Sequence, residues 1–251
     1  MAVYSHSKIT SYEKCPFKYK LRYIDKIKPL VEKTIESHLG NAVHDSFEWL
    51  YNNVKKGEIP TVEELIEHYA NSWQRDYNQN ILIVKTEFRA EDYFNKGAEF
   101  LINYYFQYHP FDDGTIECEK RITINLGENV IIYGFIDRLA HNKKTGEYEI
   151  HDYKTANTLP TRENIEGDKQ LALYSIAIKE LYGEDKEISL IWHYLAHNQK
   201  ICLKKNKEEL EELKRNILQT IREIEIAEEF PTRKSALCPW CEYKSICPEW
   251  N

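Results

Sequence analysis

The feature that most constrains this chain is a change of period. From Leu39 to about His109 apolar residues recur at helical spacing, with His44, Glu48 and Tyr51 at i, i+4 and i+7 and further runs at 62–77 and 91–108. From Ile116 to Thr155 the period drops to two. Ile122, Ile124 and Leu126 alternate, a turn falls at 127–129, a strand runs from Val130 to Leu139, and a second turn at 143–146 leads into Tyr148–Thr155. A helix at about 164–182, a strand at 187–196 and a helix capped by Asn206, with Glu209 at the capping-box position, complete the pattern. Helices on either side of a block of strands predict an α/β fold. At 251 residues and 42% hydrophobic content the expectation is a single domain over 1–251, with a helical insertion or lid at about 50–115.

A net charge of -7 excludes a globally basic nucleic-acid coat protein, so any DNA contact must come from local patches. One candidate is the helical stretch 7–28. There Lys14, Lys18, Lys20, Arg22, Lys26 and Lys28 interleave with Tyr12, Phe17, Tyr19 and Tyr23, and Lys18, Lys20 and Arg22 are expected to meet phosphate on a surface suited to single strands. No apolar run resembles a signal peptide or approaches the roughly 20 residues that cross a bilayer, so a soluble, cytoplasmic protein with no membrane partner is expected. In that setting six cysteines favour metal ligation or catalysis over disulfides.

The strands carry chemistry. Alternation puts Tyr148, Ile150, Asp152 and Lys154 on one face and Glu149, His151, Tyr153 and Thr155 on the other. Asp137 closes the strand IIYGFID, so a hairpin can bring Asp137 and Asp152 to one divalent ion with Lys154 alongside, the groups that metal-assisted phosphodiester hydrolysis needs. Alone, a D-x-K on a strand is usually a solvated pair. So too are a lone helical histidine, His44 in GNAVH, and a packing pair, Gln170 and Tyr174, common features. The information lies in the order G-x-x-x-H, G-x-x-D, D-x-K, Q-x-x-x-Y.

On SKITSYEKCPFKYKLRYIDKI, GNAVH, YGFIDR, HDYKT and QLALY, the chain resembles the RecB-type branch of the PD-(D/E)XK superfamily, which includes AddB nuclease domains and the CRISPR-adaptation exonucleases. The resemblance spans almost the whole length and lacks a match only at 50–115. It implies a restriction-endonuclease-like core, a mixed central sheet flanked by helices. It also implies a Mg/Mn-dependent deoxyribonuclease, acting as an exonuclease on single-stranded DNA or overhangs, with possible protein partners in a repair, recombination or CRISPR-adaptation complex. By that resemblance His44, Asp137 and Asp152 hold the metal, helped by the Tyr153 carbonyl, and Lys154 orients the nucleophilic water. Gln170 and Tyr174 support DNA or the lysine. Magnesium prefers oxygen ligands whereas a nitrogen ligand suits manganese, so such a site is expected to accept both ions and to favour manganese in vitro. Arg138, next along the strand, is expected to face away and contact the DNA backbone; Glu119 is at most an outer support. The alternative is a non-catalytic or partner-dependent DNA-binding subunit.

Near the C-terminus Cys238, Cys241 and Cys247 form C-x2-C-x5-C, and Cys15 stands near the other end. Four thiolates suit either a 4Fe-4S cluster or structural zinc, and spacing leaves both open. The resemblance to AddB implies the 4Fe-4S cluster, a clasp in which the segment 230–251 closes onto Cys15. Cys118 and Cys202 are expected in the core.

Overall fold

In the computed structural model, which describes residues 2–31, 33–127 and 129–250, the described strands form one mixed six-stranded sheet. They are β1 (Ala2–Ser5), β2 (Thr115–Gly127), β3 (Val130–His141), β4 (Tyr148–Lys154), β5 (Ile188–Tyr194) and β6 (Gln199–Leu203). β3 is the hub: it pairs antiparallel with β2 along its length, parallel with β1 at its start and antiparallel with β4 at its end. β4 then pairs parallel with β5, and β5 antiparallel with β6. Glu128, in the expected 127–129 turn, lies outside the described residues; on either side Gly127 and Asn129 take φ of 83° and 62°.

Two apolar cores cover the two faces of the sheet. On one, Ile122, Ile124, Ile132, Ile136, Leu139 and Ile150 pack against α7 (Gln170–Tyr182) and α8 (Lys207–Ile226). On the other, Tyr153 and Leu195 join the core of three helices, α3 (Ile35–Lys55), α4 (Val62–Asp76) and α5 (Ala90–Tyr108). Thr61 and Asn206 start α4 and α8 with full capping boxes, as expected for Asn206. The helical layer begins at Ile35, so the expected boundary near residue 50 falls inside α3.

Two expected helices are broken by their own sequences. In 7–28, Pro16 forces Cys15 to extended backbone (φ -161°), separating α1 (His6–Lys14) from α2 (Pro16–Tyr19), and a π-helical turn, Lys20–Ile24, follows. In 164–182, Gly167 caps the short α6 (Arg162–Glu166) before α7 begins.

The C-terminal segment closes over the N-terminal helices. Phe17 N–H donates to the Pro231 carbonyl at 3.1 Å, and the Tyr243 hydroxyl donates to the Ile27 carbonyl at 3.0 Å. Phe230 stacks on Tyr19, and Trp240 Nε1 donates to Glu36 Oε1 at 3.1 Å. Among the described residues no helix is long and apolar enough to cross a membrane.

Candidate functional site

The site forms where β2 and β3 change face together. Ile136 and Leu139 both pack in the α7–α8 core, so the alternation slips once between them. Opposite that slip, between the pairs Cys118–Arg138 and Lys120–Ile136, Glu119 has a left-handed φ of 45°. Such irregularities re-aim side chains, and a non-glycine residue there needs its surroundings to hold it. The result is a cleft of about 560 Å³ between the hairpin and α3, whose lining includes Gly40, His44, Glu48, Glu119, Asp137 and Thr155. His44 and Glu48 face it together because they stand one helical turn apart.

His44, Glu119 and Asp137 each place a ligand atom within 4.8 Å of the others, and among the described residues they are the group of three or more that does so. His44 Nδ1 lies 3.3 Å from Asp137 Oδ2, while His44 Nε2 donates to the Tyr153 carbonyl at 2.8 Å. That carbonyl, expected on the metal, instead fixes the imidazole and leaves Nδ1 facing the carboxylates. The Tyr153 N–H donates to Asp137 Oδ2 at 3.1 Å, so one peptide unit on each side of Tyr153 steadies one member of the group.

Burial pushes Asp137 up to about 6, with the charge on Asp152 adding to it and His44 opposing. Glu119 is pushed up to about 7 by burial and by Asp137. Two carboxylates held where ionisation is costly, with an imidazole lone pair between them, are a donor set that a divalent cation relieves.

Asp152 stands slightly apart. It shares the α7 face with Lys154, whose ammonium donates to Asp152 Oδ1 at 3.0 Å and lies 2.7 Å from Oδ2, a buried atom that accepts no hydrogen bond. Lys154 Nζ also reaches Gln170 Oε1 at 3.4 Å. Burial works to lower the lysine, but Asp152 outweighs it and the net shift is upward, so the ammonium is kept. Tyr174 is buried against Gly134, where it leaves no face for DNA.

Arg138 does not turn to the opposite face as expected: the slip keeps it on the α3 side, beneath the cleft among Tyr51 and Tyr153, and the expected DNA-backbone contact is corrected too, since at 1% exposure it presents no donor to solvent. Its Nε donates to the Tyr153 hydroxyl at 2.9 Å, its other nitrogens to Asp113, to Thr115 at 3.0 Å and to His151 Nδ1 at 2.8 Å, and it lies over the Tyr51 ring. The N-terminal cations are engaged too: Lys18 and Arg22 pair with Glu242 at 2.7 and 3.5 Å, and Lys20 with Asp25 at 3.5 Å. Lys18 and Arg22 therefore dock the C-terminal segment, which the local run of charge could not reveal. Cys15, Cys238, Cys241 and Cys247 are half-buried and not joined in disulfides, with Cys15 close enough to act on Cys241, whereas Cys202, expected in the core, is exposed on the edge strand β6.

The model of the PD-(D/E)XK nuclease superfamily matches residues 3–248. The chain belongs to that superfamily. PD-(D/E)XK proteins use divalent metal ions, and the group at His44, Glu119 and Asp137 is a possible place for one. The fold is similar to that of a "Putative exonuclease" from Eubacterium rectale, at 14% identity, a TM-score of 0.52 and coverage of 95% of this chain and 86% of that one. A second solved structure, of SSO0001, matches at 16% identity over 88% and 95% with a TM-score of 0.39, too low to bear on the fold. No curated protein matches the chain. Glu119 is the site residue that sequence reasoning undervalued; its only local signal was a carboxylate in the strand before the G-x-x-D strand.

Proposed function

We propose that this PD-(D/E)XK protein hydrolyses DNA phosphodiesters with Mg or Mn, as an exonuclease on single strands or overhangs, in repair, recombination or CRISPR adaptation. The observation that carries the reading is the convergence of His44, Glu119 and Asp137 beside a lysine that stays charged. His44 Nδ1, Glu119 and Asp137 would hold the ion, and Asp152, whose Oδ2 lies 2.7 Å from the Lys154 ammonium, is the remaining carboxylate on the lysine side. A divalent ion bound there would acidify water and offset phosphate charge.

The chain's own groups do the rest. Lys154, oriented by Asp152 and Gln170, presents an ammonium to the incoming water and to the charge developing on phosphorus. Asp152 keeps that ammonium protonated. The Tyr153 peptide groups hold His44 and Asp137 at fixed spacing.

In the same reading Cys15, Cys238, Cys241 and Cys247 carry a 4Fe-4S cluster. Two observations support this: four thiols are the ligand set of such a cluster, and Cys15 lies close enough to Cys241 to add, after burial, to raising its thiol across the two ends of the chain. A ligand held by both segments would contribute its binding energy to folding.

Anaerobically purified protein, incubated with end-labelled single- and double-stranded DNA and Mg or Mn, should shorten single strands from an end and should be brown. Failure to cut any DNA with either metal would overturn the nuclease reading in favour of a DNA-binding module. A colourless protein with stoichiometric zinc would overturn the cluster.

A further inference from the structure

The β2–β3 hairpin continues the cleft as an open aromatic face. Ile132, Gly134 and Ile136 are buried, so alternation turns Tyr133 and Phe135 to the other side, in line with Asp137. Tyr133 is 39% exposed and Phe135 47%, although aromatic rings this large normally dominate cores and interfaces. The register sets exposed Arg121 opposite Phe135 and exposed Thr123 opposite Tyr133, one and two steps beyond the level of Glu119 and Asp137. On the far side of β3, Ser5 pairs with Tyr133, and Val3, 51% exposed, pairs with Ile131. Each step along the strand is about 7 Å for two residues, so the rings lie about 7 and 14 Å from Asp137 along β3.

We infer that this face is a stacking platform for the bases of a single DNA strand whose phosphate lies in the cleft, with Arg121 against its backbone. The inference rests on the nuclease reading and extends it to a substrate path. Three features select this occupant. The face is continuous with the cleft, so a strand seated in one runs over the other. Exposed rings beside a cation are the elements by which single strands are held without sequence preference, since every base has a π-face. And the paired bases of a duplex offer no free faces, so the platform discriminates against it.

The test uses the full-length protein made inert by Lys154→Ala, with Mn and a fluorescent oligonucleotide followed by anisotropy. Phe135→Leu and Tyr133→Leu keep apolar bulk but remove the ring, and each should weaken single-strand binding by about fivefold or more, in line with the cost of losing a stacked base. Phe135→Trp should bind as well as the parent. On an oligonucleotide abasic at the platform, Phe135→Leu should make no difference. Arg121→Gln should reduce the salt dependence by about one phosphate contact. If Phe135→Leu binds as the parent does while the wild type cuts DNA, the platform is wrong. If Phe135→Leu and Phe135→Trp both lose binding, or the loss persists on the abasic strand, the rings serve another surface and the inference also falls. A wild type that neither binds nor cuts DNA refutes the nuclease reading itself.

Discussion

Tyr174 lies against Gly134: a Cβ built at residue 134 would stand 2.5 Å from Tyr174 Cε1 and 2.6 Å from its hydroxyl. The glycine of YGFID and the tyrosine of QLALY, 40 positions apart in the sequence, are thus two halves of one contact. The glycine is there for space, since β3 is ordinary extended backbone at this point.

Gly134→Ala should therefore overpack the core, costing about 1–3 kcal/mol and lowering Tm by about 2–4 °C for each kcal/mol lost. Tyr174→Leu in the same protein should recover part of that loss. Additive losses in thermal melts would show that the two residues do not compete for the same space.

Lys154→Ala should reduce cleavage by about 100-fold or more, the usual cost of losing a group aimed at transition-state charge, while Mn binding measured by calorimetry stays near wild type. Asp152→Asn should slow the reaction through the lysine, because it removes the charge that keeps the ammonium in place. A Lys154→Ala enzyme cutting within about tenfold of wild type, a change of only ~1.4 kcal/mol, would mean the reacting group is elsewhere.

Glu119→Gln should weaken Mn binding by at least about tenfold, comparable to removing a metal-site contact, with the fold intact by circular dichroism. If Mn affinity is unchanged, Glu119 is no more than an outer support, as a reading of the strand alone would have it.

His151 and His193 set a pH limit. Burial, helped by the cation of Arg138 and for His193 first by His151, holds both imidazoles well below their usual range. Their folded pKa lies below the unfolded value of about 6.5, so the unfolded chain takes up protons first. Stability from this source is complete above about pH 6.5 and falls as the pH drops, by up to about 1.4 kcal/mol per pH unit for each histidine. Asp137 and Glu119, raised in the fold, oppose this in metal-free protein, so the quantity to measure is a difference. The stability gap between wild type and His193→Gln, from urea melts at pH 7.5 and 5.5, should shift against the wild type on acidification. A gap independent of pH would mean that His193 is protonated in the fold.

Much of the architecture was legible because it rests on strong periodicities. The bounds of α4 and α5, the β2–β3 and β3–β4 hairpins and the Asn206 cap all follow from local pattern. β1 and β6 were not legible, being four and five residues long with mostly exposed or half-buried side chains. In the site, His44, Asp137 and Lys154 could be named from motif order. Glu119 could not be ranked, because its placement depends on a left-handed φ and a face change that involve both strands at once. Arg138 was misread for the same reason: simple alternation would turn it to the opposite face, whereas the slip keeps it on the α3 side, held in a tertiary cage of Tyr153, His151 and Asp113.

The closure of residues 230–250 over the first helices bears on how the chain matures during synthesis. Tyr12, Tyr19 and Ile27 find Phe230 and Tyr243 only after more than 200 intervening residues have been made, and Phe17 must likewise wait for Pro231. Until then the aromatic face of the N-terminal helices is uncovered on the nascent chain, the kind of surface that folding factors bind and that aggregates when translation outruns folding. Slower translation late in the message, or release of the chain before Phe230, would therefore act chiefly on yield, with the catalytic residues already made.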